Sequence, residues 1–240
     1  FEVDRHGKVL TFVEKPDEPK TIPGSDMCFA SMGNYIFSRK KLISVIKDGM
    51  KLYSDLDFGK HVIPMMLAAG DRVFAYNFND NLIPGMTPEE KGYWKDVGTL
   101  DSYYEANMDL IAVSPQLNLY NDKWPIMTKP SNQPPAKTVF DDDDRRGQSL
   151  DSYISGGCVI SGGTVRRSIL SPQCRINSYS LVEDSILLEG VWVGRNAKIK
   201  RAIIDEGVVI PDHTIIGYDL DADIQRGYTV TDSGIVVVSR

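Results

Sequence analysis

The sequence predicts an α/β segment, a proline-rich connector and a C-terminal parallel β-helix. Strand-like and helix-like stretches alternate up to about residue 114, prolines gather between residues 115 and 148, and aliphatic residues recur every six positions from residue 149 onward. Alternating strands and helices are typical of α/β domains, and a period of six is typical of the stacked coils of a β-helix. The predicted fold class is therefore α/β followed by a β-helix.

The α/β segment, residues 1–114, begins with two predicted strands at 1–4 and 8–12 that flank a turn. Stretches rich in β-branched and aromatic residues predict further strands at 34–37 and 73–76.

Three helices are predicted from apolar residues at helical spacing. The first covers 39–47, the second begins near Phe58 and stops at Gly70, and the third covers 99–111. Apolar residues three and four apart place one face of a helix against the core, and glycine commonly ends a helix. In the third helix, Leu100 and either Tyr103 or Tyr104 are expected to face the core.

The connector, residues 115–148, is marked by Pro115, Pro125, Pro130, Pro134 and Pro135. Prolines exclude long regular elements, so this stretch should be extended. Its acidic run at 141–144 could suggest a metal site, but consecutive carboxylates on a loop are more typical of a solvated tip.

The C-terminal segment, residues 149–240, carries the six-residue period. Blocks of this spacing contain Ile154, Ile160, Leu170, Ile176, Val182, Leu188, Val193, Ile199, Ile204, Ile210 and Ile216. One coil cannot bury its aliphatic residues alone, so neighbouring coils must stack. An antiparallel sandwich would require alternation every two residues, and the segment has no such regular series.

The composition excludes several classes of partner. The formal net charge is -6, whereas nucleic acid or an anionic membrane requires a dense excess of Lys and Arg. No apolar run reaches the roughly 18 residues needed to span a bilayer. The three cysteines lack close pairing, which is typical of reduced thiols. We therefore expect a cytoplasmic protein that binds neither nucleic acid nor membrane, in a chain that begins within a domain.

The tripeptide Glu14-Lys15-Pro16 is the first candidate site. Adjacent strand residues point to opposite faces, so the two charges should not form one surface pair. Pro16 should hold Lys15 in extended geometry and end the strand, and strand ends are where α/β sheets bind ligands. Lys15 could then hold a phosphate and Glu14 sugar hydroxyls. A solvated charge pair beside a turn is the alternative.

Eight strings, in chain order, carry a wider resemblance: FVEKP, ASMGNYIF, LDFGKHVIP, YWKDVGT, LYNDKWPI, PPAK, SGGCVISG and EGVWVGRNAKIKRAIID. With these strings the chain resembles the family of bacterial glucose-1-phosphate adenylyltransferases. EKP and DVGT are similar throughout the sugar nucleotidyltransferases, whereas WPI, PPAK and VWVGR point to the branch that makes ADP-glucose.

The resemblance implies a fold and a reaction. Residues 1–114 would be the sugar-phosphate-binding, C-terminal part of a Rossmann-like mixed-sheet nucleotidyltransferase domain, and 149–240 a left-handed β-helix for oligomerisation and regulation. The reaction would convert ATP and glucose 1-phosphate to ADP-glucose and diphosphate in glycogen synthesis. Because both reactants are anionic, positioning and charge neutralisation by Mg²⁺ and basic side chains should dominate catalysis.

The resemblance also assigns substrate residues. It implies that Glu14, Lys15 and Ser31 bind glucose 1-phosphate, with Lys15 at the phosphate. Asp57 and Phe58 match the substrate-pocket pair of the family.

Two further residues come from the string YWKDVGT. Trp94 would wall the same pocket, with core packing as an equal alternative. Asp96 matches the metal-binding carboxylate, so Lys15 and Asp96 are the candidate catalytic residues and Mg²⁺ is the expected cofactor.

Regulation by small-molecule allosteric effectors and assembly into a homotetramer are implied as well. Gly190 and Glu206 lie where enteric members carry an acid and an arginine, so the effector response should differ. His213 and the pair Arg166-Arg167 are candidate effector or subunit contacts, with plain surface residues as the alternative. The family's Gly-rich nucleotide loop has no counterpart here, so these 240 residues alone are expected to bind ATP poorly and to be inactive.

Three other functions remain open. A non-catalytic regulatory subunit of the same family would lose catalytic residues, whereas Glu14, Lys15, Ser31 and Asp96 are all present. A hexapeptide acyltransferase would use a histidine base, and His213 is the histidine of the β-helix segment. Another sugar-phosphate nucleotidyltransferase would differ in its choice of base.

Overall fold

A computed structural model describes residues 1–128 and 132–240, so Pro130 of the connector lies outside the described residues. The chain divides into two compact units, Phe1–Asp80 and Asn81–Arg240. Each is described by itself.

The first unit opens with the predicted hairpin. Strands β1 (Glu2–Val3) and β2 (Val9–Thr11) pair antiparallel, and the Gly7 amide donates to the Asp4 carbonyl at 3.0 Å in the turn. Gly7 has φ +80°, a conformation that costs glycine little. The hairpin prediction is confirmed.

Helices follow the hairpin in the first unit, and the first of them extends beyond the predicted range of 39–47. Helix α1 covers Arg39–Leu52, and a π-helical turn at Phe58–Val62 continues directly into α2 (Ile63–Ala68). Val45, Val62 and Met66 form the small core between them.

The two further strands predicted in this unit are wrong for the described residues. Residues 34–37 form no strand and Ile36 is fully exposed, while 73–76 make only a single bridge, between Phe74 and Lys8. A strand requires a neighbouring ladder, and within the first unit only β1 and β2 pair as strands. Strand propensity alone therefore predicted more strands than the first unit contains.

The second unit contains helix α3 (Leu100–Leu110), close to the predicted range. Its N-cap is Thr99, whose hydroxyl accepts the Ser102 amide at 3.1 Å. Tyr104 is buried, whereas Leu100 is 40% exposed, so the prediction that Leu100 faces the core is wrong.

From Lys137 onward the second unit forms the predicted parallel β-helix, whose first strand therefore lies within the predicted connector. The strands are β3 (Lys137–Val139), β4 (Gln148–Leu150), β5 (Tyr153–Ile154), β6 (Val159–Ser161), β7 (Thr164–Arg166), β8 (Ile169–Leu170), β9 (Arg175–Ile176), β10 (Leu181–Glu183), β11 (Ile186–Leu187), β12 (Trp192–Val193), β13 (Lys198–Lys200), β14 (Ala202–Ile204), β15 (Val209–Ile210), β16 (Ile215–Ile216), β17 (Thr229–Val230) and β18 (Val236–Val238). They form three sheets with the strand orders β16-β13-β10-β7-β4, β17-β18-β14-β11-β8-β5 and β15-β12-β9-β6-β3. A short helix, α4 (Leu220–Gln225), interrupts the last coil.

Inward side chains stack in columns from coil to coil. One column pairs Val165, Val182, Ile199 and Ile216 in register, and all four are fully buried. Successive members are 17 residues apart, which fits a triangular coil consistent with a left-handed β-helix.

One position of the predicted repeat is wrong. Leu187, with no exposed surface, points into the β-helix, whereas Leu188 packs outside it against the cluster that contains Tyr104. The reason is a five-residue step from Val182 to Leu187, where a constant period of six predicts Leu188. Corners of the coil absorb this variation.

The corners use left-handed backbone. Gly162, Tyr179, Asn196 and His213 occupy the same corner at intervals of 17 residues and all have positive φ. His213 is an exposed member of this column, and its amide donates to the Arg195 carbonyl at 2.8 Å. No helix among the described residues is long and apolar enough to cross a membrane.

Candidate functional site

A cleft of about 260 Å³ in the first unit gathers four of the predicted substrate residues. Its lining consists of Glu14, Ser31, Gly33, Tyr35, Asp57, Phe58 and Gly59. These residues come from the loop after β2, the irregular stretch before α1 and the π-helical turn.

The loop after β2 does not have the geometry predicted for it. β2 ends at Thr11, and Lys15 adopts φ +45°, so the expectation of an extended Lys15 at a strand end is wrong. The proline disfavours right-handed helical backbone at Lys15, and the chain meets this restriction with a left-handed turn. The turn places Glu14 in the cleft lining, while Lys15 is exposed and outside the lining.

Ser31 lies beside a tyrosine that the sequence analysis did not select. The Ser31 and Tyr35 hydroxyl oxygens are 3.0 Å apart and share a hydrogen bond, and the Gly33 amide donates to Ser31 Oγ at 3.2 Å. The Tyr35 ring stacks on Phe58, with ring centroids 5.7 Å apart. Tyr35 lies within the string ASMGNYIF, so its place in that motif was the available signal.

Asp57 begins the π-helical turn. Its carboxylate accepts the Lys60 amide at 2.7 Å, and this backbone donor holds the pKa of Asp57 below its usual range. The carboxylate therefore stays ionised at neutral pH. His61 Nδ1 accepts the Asp57 amide at 3.0 Å, which fixes the start of the same turn.

Gly59 makes room for Glu14. A Cβ on Gly59 would lie 2.3 Å from Glu14 Oε2 and 2.7 Å from its carboxyl carbon. Non-bonded atoms cannot approach so closely, so the Glu14 carboxylate occupies space that only glycine leaves free. Gly59, like Gly33 and Tyr35, is a lining residue that the sequence analysis did not identify.

Trp94 and Asp96 belong to the second unit. The Trp94 side chain is 43% exposed and so is not enclosed in a core there. Asp96 is exposed, and its Oδ1 accepts the Gly98 amide at 2.9 Å. A carboxylate oxygen of this kind is suited to a cation.

The described residues contain no cluster of three or more His, Cys, Asp or Glu that could hold a metal ion by themselves. Mg²⁺ does not require such a cluster, because it commonly binds one or two carboxylates together with substrate phosphates and water. Asp96 fits that role as a single oxygen ligand.

The cleft can bind a polyhydroxylated ligand. Glu14 and Asp57 supply carboxylate acceptors, Ser31 and Tyr35 supply hydroxyls that donate or accept, and Phe58 supplies an apolar ring. A few converging polar groups beside an aromatic surface are typical of small-molecule sites.

Comparison with known proteins shows which families the chain is similar to. The nucleotidyl transferase family matches residues 1–113, and the family of GlmU-like C-terminal hexapeptide domains matches 134–238. Over its whole length the chain is 70% identical to a glucose-1-phosphate adenylyltransferase of Trichlorobacter lovleyi, over 240 residues. The chain is therefore similar over its whole length to glucose-1-phosphate adenylyltransferases.

Two other glucose-1-phosphate adenylyltransferases extend the comparison. The protein of Geobacter metallireducens is also 70% identical, and that of Shewanella baltica is 51% identical, each across the full chain. The chain spans 58% of the length of the Trichlorobacter and Geobacter proteins and 56% of the Shewanella protein. The resemblance found in the sequence motifs is thereby confirmed.

Proposed function

We propose that the protein containing this chain is a glucose-1-phosphate adenylyltransferase, which converts ATP and glucose 1-phosphate to ADP-glucose and diphosphate for glycogen synthesis. The observation that carries the proposal is the cleft that unites Glu14, Ser31, Asp57 and Phe58. These residues match the sugar-phosphate motifs of the resemblance, and the relatives named above share 51 to 70% of this sequence.

The cleft would hold the glucose moiety. Glu14 and Asp57 accept hydrogen bonds from sugar hydroxyls, while the Ser31 hydroxyl, oriented by Tyr35, donates one. Phe58 offers its ring to the apolar face of the sugar. Such a set orients the acceptor, and orientation of two reactants supplies much of the rate enhancement in bimolecular transfer.

Lys15 and Asp96 would act on the phosphates. Lys15 is exposed and next in sequence to Glu14, and its compact charge would neutralise the phosphate of glucose 1-phosphate. Asp96 would ligate Mg²⁺, and that ion would supply charge neutralisation at the phosphates.

Sugar binding can be tested on the chain itself. Titration with glucose 1-phosphate, followed by NMR, should shift resonances of the cleft residues, and Glu14→Gln should weaken binding because a neutral amide is a poorer acceptor than a carboxylate. Glu18→Gln is the matched control, since Glu18 is exposed and outside the cleft lining. Equal affinity in both variants and the wild type would exclude the cleft as the site.

The reaction is tested on the intact protein. Release of diphosphate should require both ATP and glucose 1-phosphate, and GTP or dTTP should replace ATP poorly. Turnover with GTP or dTTP instead would indicate another sugar-phosphate nucleotidyltransferase, and binding of effectors without turnover would indicate a regulatory subunit.

Assembly, regulation and location belong to the same proposal. Trp192 and Val209 are paired on the outer face of the β-helix and are 45% and 66% exposed, which supports a subunit contact in a homotetramer. Light scattering of the intact protein should give four times the chain mass. Small-molecule effectors are expected to act through the β-helix, and the unpaired cysteines agree with a cytoplasmic location.

A further inference from the structure

Helix α3 connects the candidate metal ligand to the β-helix within the second unit. Asp96 lies four residues before the helix, and the first turn of the helix carries Asp101. We propose that Asp101 is a positioning residue, which holds Asp96 in place by tying the first turn of α3 to the last hairpin of the β-helix. This inference rests on the proposed function for the role of Asp96.

The first link joins Asp96 to the helix. The Gly98 amide donates to Asp96 Oδ1 at 2.9 Å, and the next residue, Thr99, is the N-cap. Thr99 and Ser102 form a reciprocal capping box, with Ser102 N to Thr99 Oγ1 at 3.1 Å and Thr99 N to Ser102 Oγ at 3.2 Å. The Asp96 carboxylate therefore follows the first turn of α3 when that turn moves.

The second link joins the first turn to the β17–β18 hairpin. Thr231 Oγ1 donates to Asp101 Oδ1 at 3.1 Å, and the Ser233 hydroxyl donates to the same oxygen. The Ile235 amide in turn donates to Thr231 Oγ1 at 3.2 Å, so the hairpin backbone orients the donor. These partners are 130 and 132 residues from Asp101 in sequence.

Charge supports the same contact. The Ser233 hydroxyl, and to a lesser extent the Thr231 hydroxyl and the Arg201 guanidinium, hold the pKa of Asp101 below its usual range. A carboxylate in the first turn also lies at the positive end of the helix dipole. Asp101 is thus ionised and accepts charge-assisted hydrogen bonds, which are stronger than neutral ones.

A separate contact holds the middle of α3. Tyr104 is packed with Ile186, Ile203 and Ile235, and its hydroxyl donates to the Asp184 carbonyl at 2.6 Å. This contact keeps the helix docked without engaging Asp101. Loss of Asp101 should therefore free the first turn while leaving the rest of α3 in place.

The test compares Asp101→Asn with Tyr104→Phe in the intact protein. Loss of a residue that orients a metal ligand typically lowers metal affinity about 10-fold to 100-fold. Asp101→Asn should therefore raise the Mg²⁺ concentration for half-maximal activity about tenfold. Tyr104→Phe should lower the thermal midpoint but leave the Mg²⁺ dependence unchanged. Ser233→Ala should reproduce part of the Asp101→Asn effect, and the double variant should be less than additive.

A second readout does not require activity. Hydrogen exchange in peptides covering 96–102 should be faster in Asp101→Asn than in the wild type and unchanged in Tyr104→Phe. Unaltered exchange and Mg²⁺ dependence in Asp101→Asn, or equal changes in Tyr104→Phe, would overturn the proposal. An inactive wild type with accelerated exchange in Asp101→Asn would instead support the link from α3 to the hairpin and reject the proposed function.

Discussion

The Glu14 carboxylate fills the space beside the Gly59 Cα, where a Cβ would lie 2.3 Å from Glu14 Oε2. Gly59 carries no positive φ, so the requirement for glycine comes from this close approach and not from backbone strain. The shape of the cleft thus depends on a residue without a side chain.

Replacing Gly59 by Ala should displace the Glu14 carboxylate and weaken glucose 1-phosphate binding about tenfold, or about 1.4 kcal/mol. The dissociation constant, measured by titration, checks this. Because both changes act on one carboxylate, Gly59→Ala should have little further effect in a Glu14→Gln background. Additive effects in the double variant would contradict the steric explanation.

Tyr35→Phe separates the hydroxyl from the ring. It removes the hydrogen bond to Ser31 but keeps the stacking on Phe58. We expect the free energy of glucose 1-phosphate binding to become less favourable by about 1 kcal/mol, the usual net contribution of one hydrogen bond. The free energy of unfolding of the first unit, measured with denaturant, should fall by no more than about 1 kcal/mol, whereas Tyr35→Ala, which also removes the ring, should lower affinity and stability further.

The three cysteines should differ in reactivity. Cys28 is exposed, whereas Cys158 and Cys174 have no exposed surface and lie on neighbouring coils. The neighbouring Cys158 thiol and burial raise the pKa of Cys174, which disfavours the reactive thiolate. A disulfide reagent such as DTNB should therefore titrate one thiol in the native chain and three in denaturant. Rapid modification of all three under native conditions would show that the β-helix opens.

Adjacent isoleucines of β16 provide a matched test of the β-helix core. Ile216 is fully buried in its inward column, while Ile215 is 45% exposed on the outer face. Ile216→Ala should lower the free energy of unfolding by about 2 to 4 kcal/mol through lost burial and a cavity. Ile215→Ala should change it by less than about 0.5 kcal/mol. Urea unfolding of both variants gives the comparison.

Stability should depend on the ionisation of Asp57. The Lys60 amide lowers the pKa of Asp57 in the folded chain, so the unfolded chain binds its proton more tightly. The stability contributed by the ionised Asp57 carboxylate is complete above its unfolded pKa of about 3.9 and is lost as pH falls through its lower folded pKa. In denaturant unfolding between pH 3 and pH 7, the wild type should lose stability on the acid side more steeply than Asp57→Asn. Parallel curves would contradict the pKa direction.

Patterns that repeat over a few residues were sufficient to predict much of the architecture. The six-residue period predicted the β-helix, the turn at residues 5–7 predicted the β1–β2 hairpin, and apolar residues at helical spacing predicted α3. These features depend on side-chain periodicity and on hydrogen bonds between near neighbours, both of which are encoded locally. The motif strings likewise led to the family.

The tertiary structure decided what local patterns leave open. It turned Leu187 and not Leu188 into the core, because a corner shortened one step of the repeat to five residues. It added Tyr35 and Gly59 to the cleft through contacts between separate loops. It joined Asp101 to Thr231 and Ser233, since only the packing of α3 against the β-helix brings residues 130 positions apart within hydrogen-bond distance.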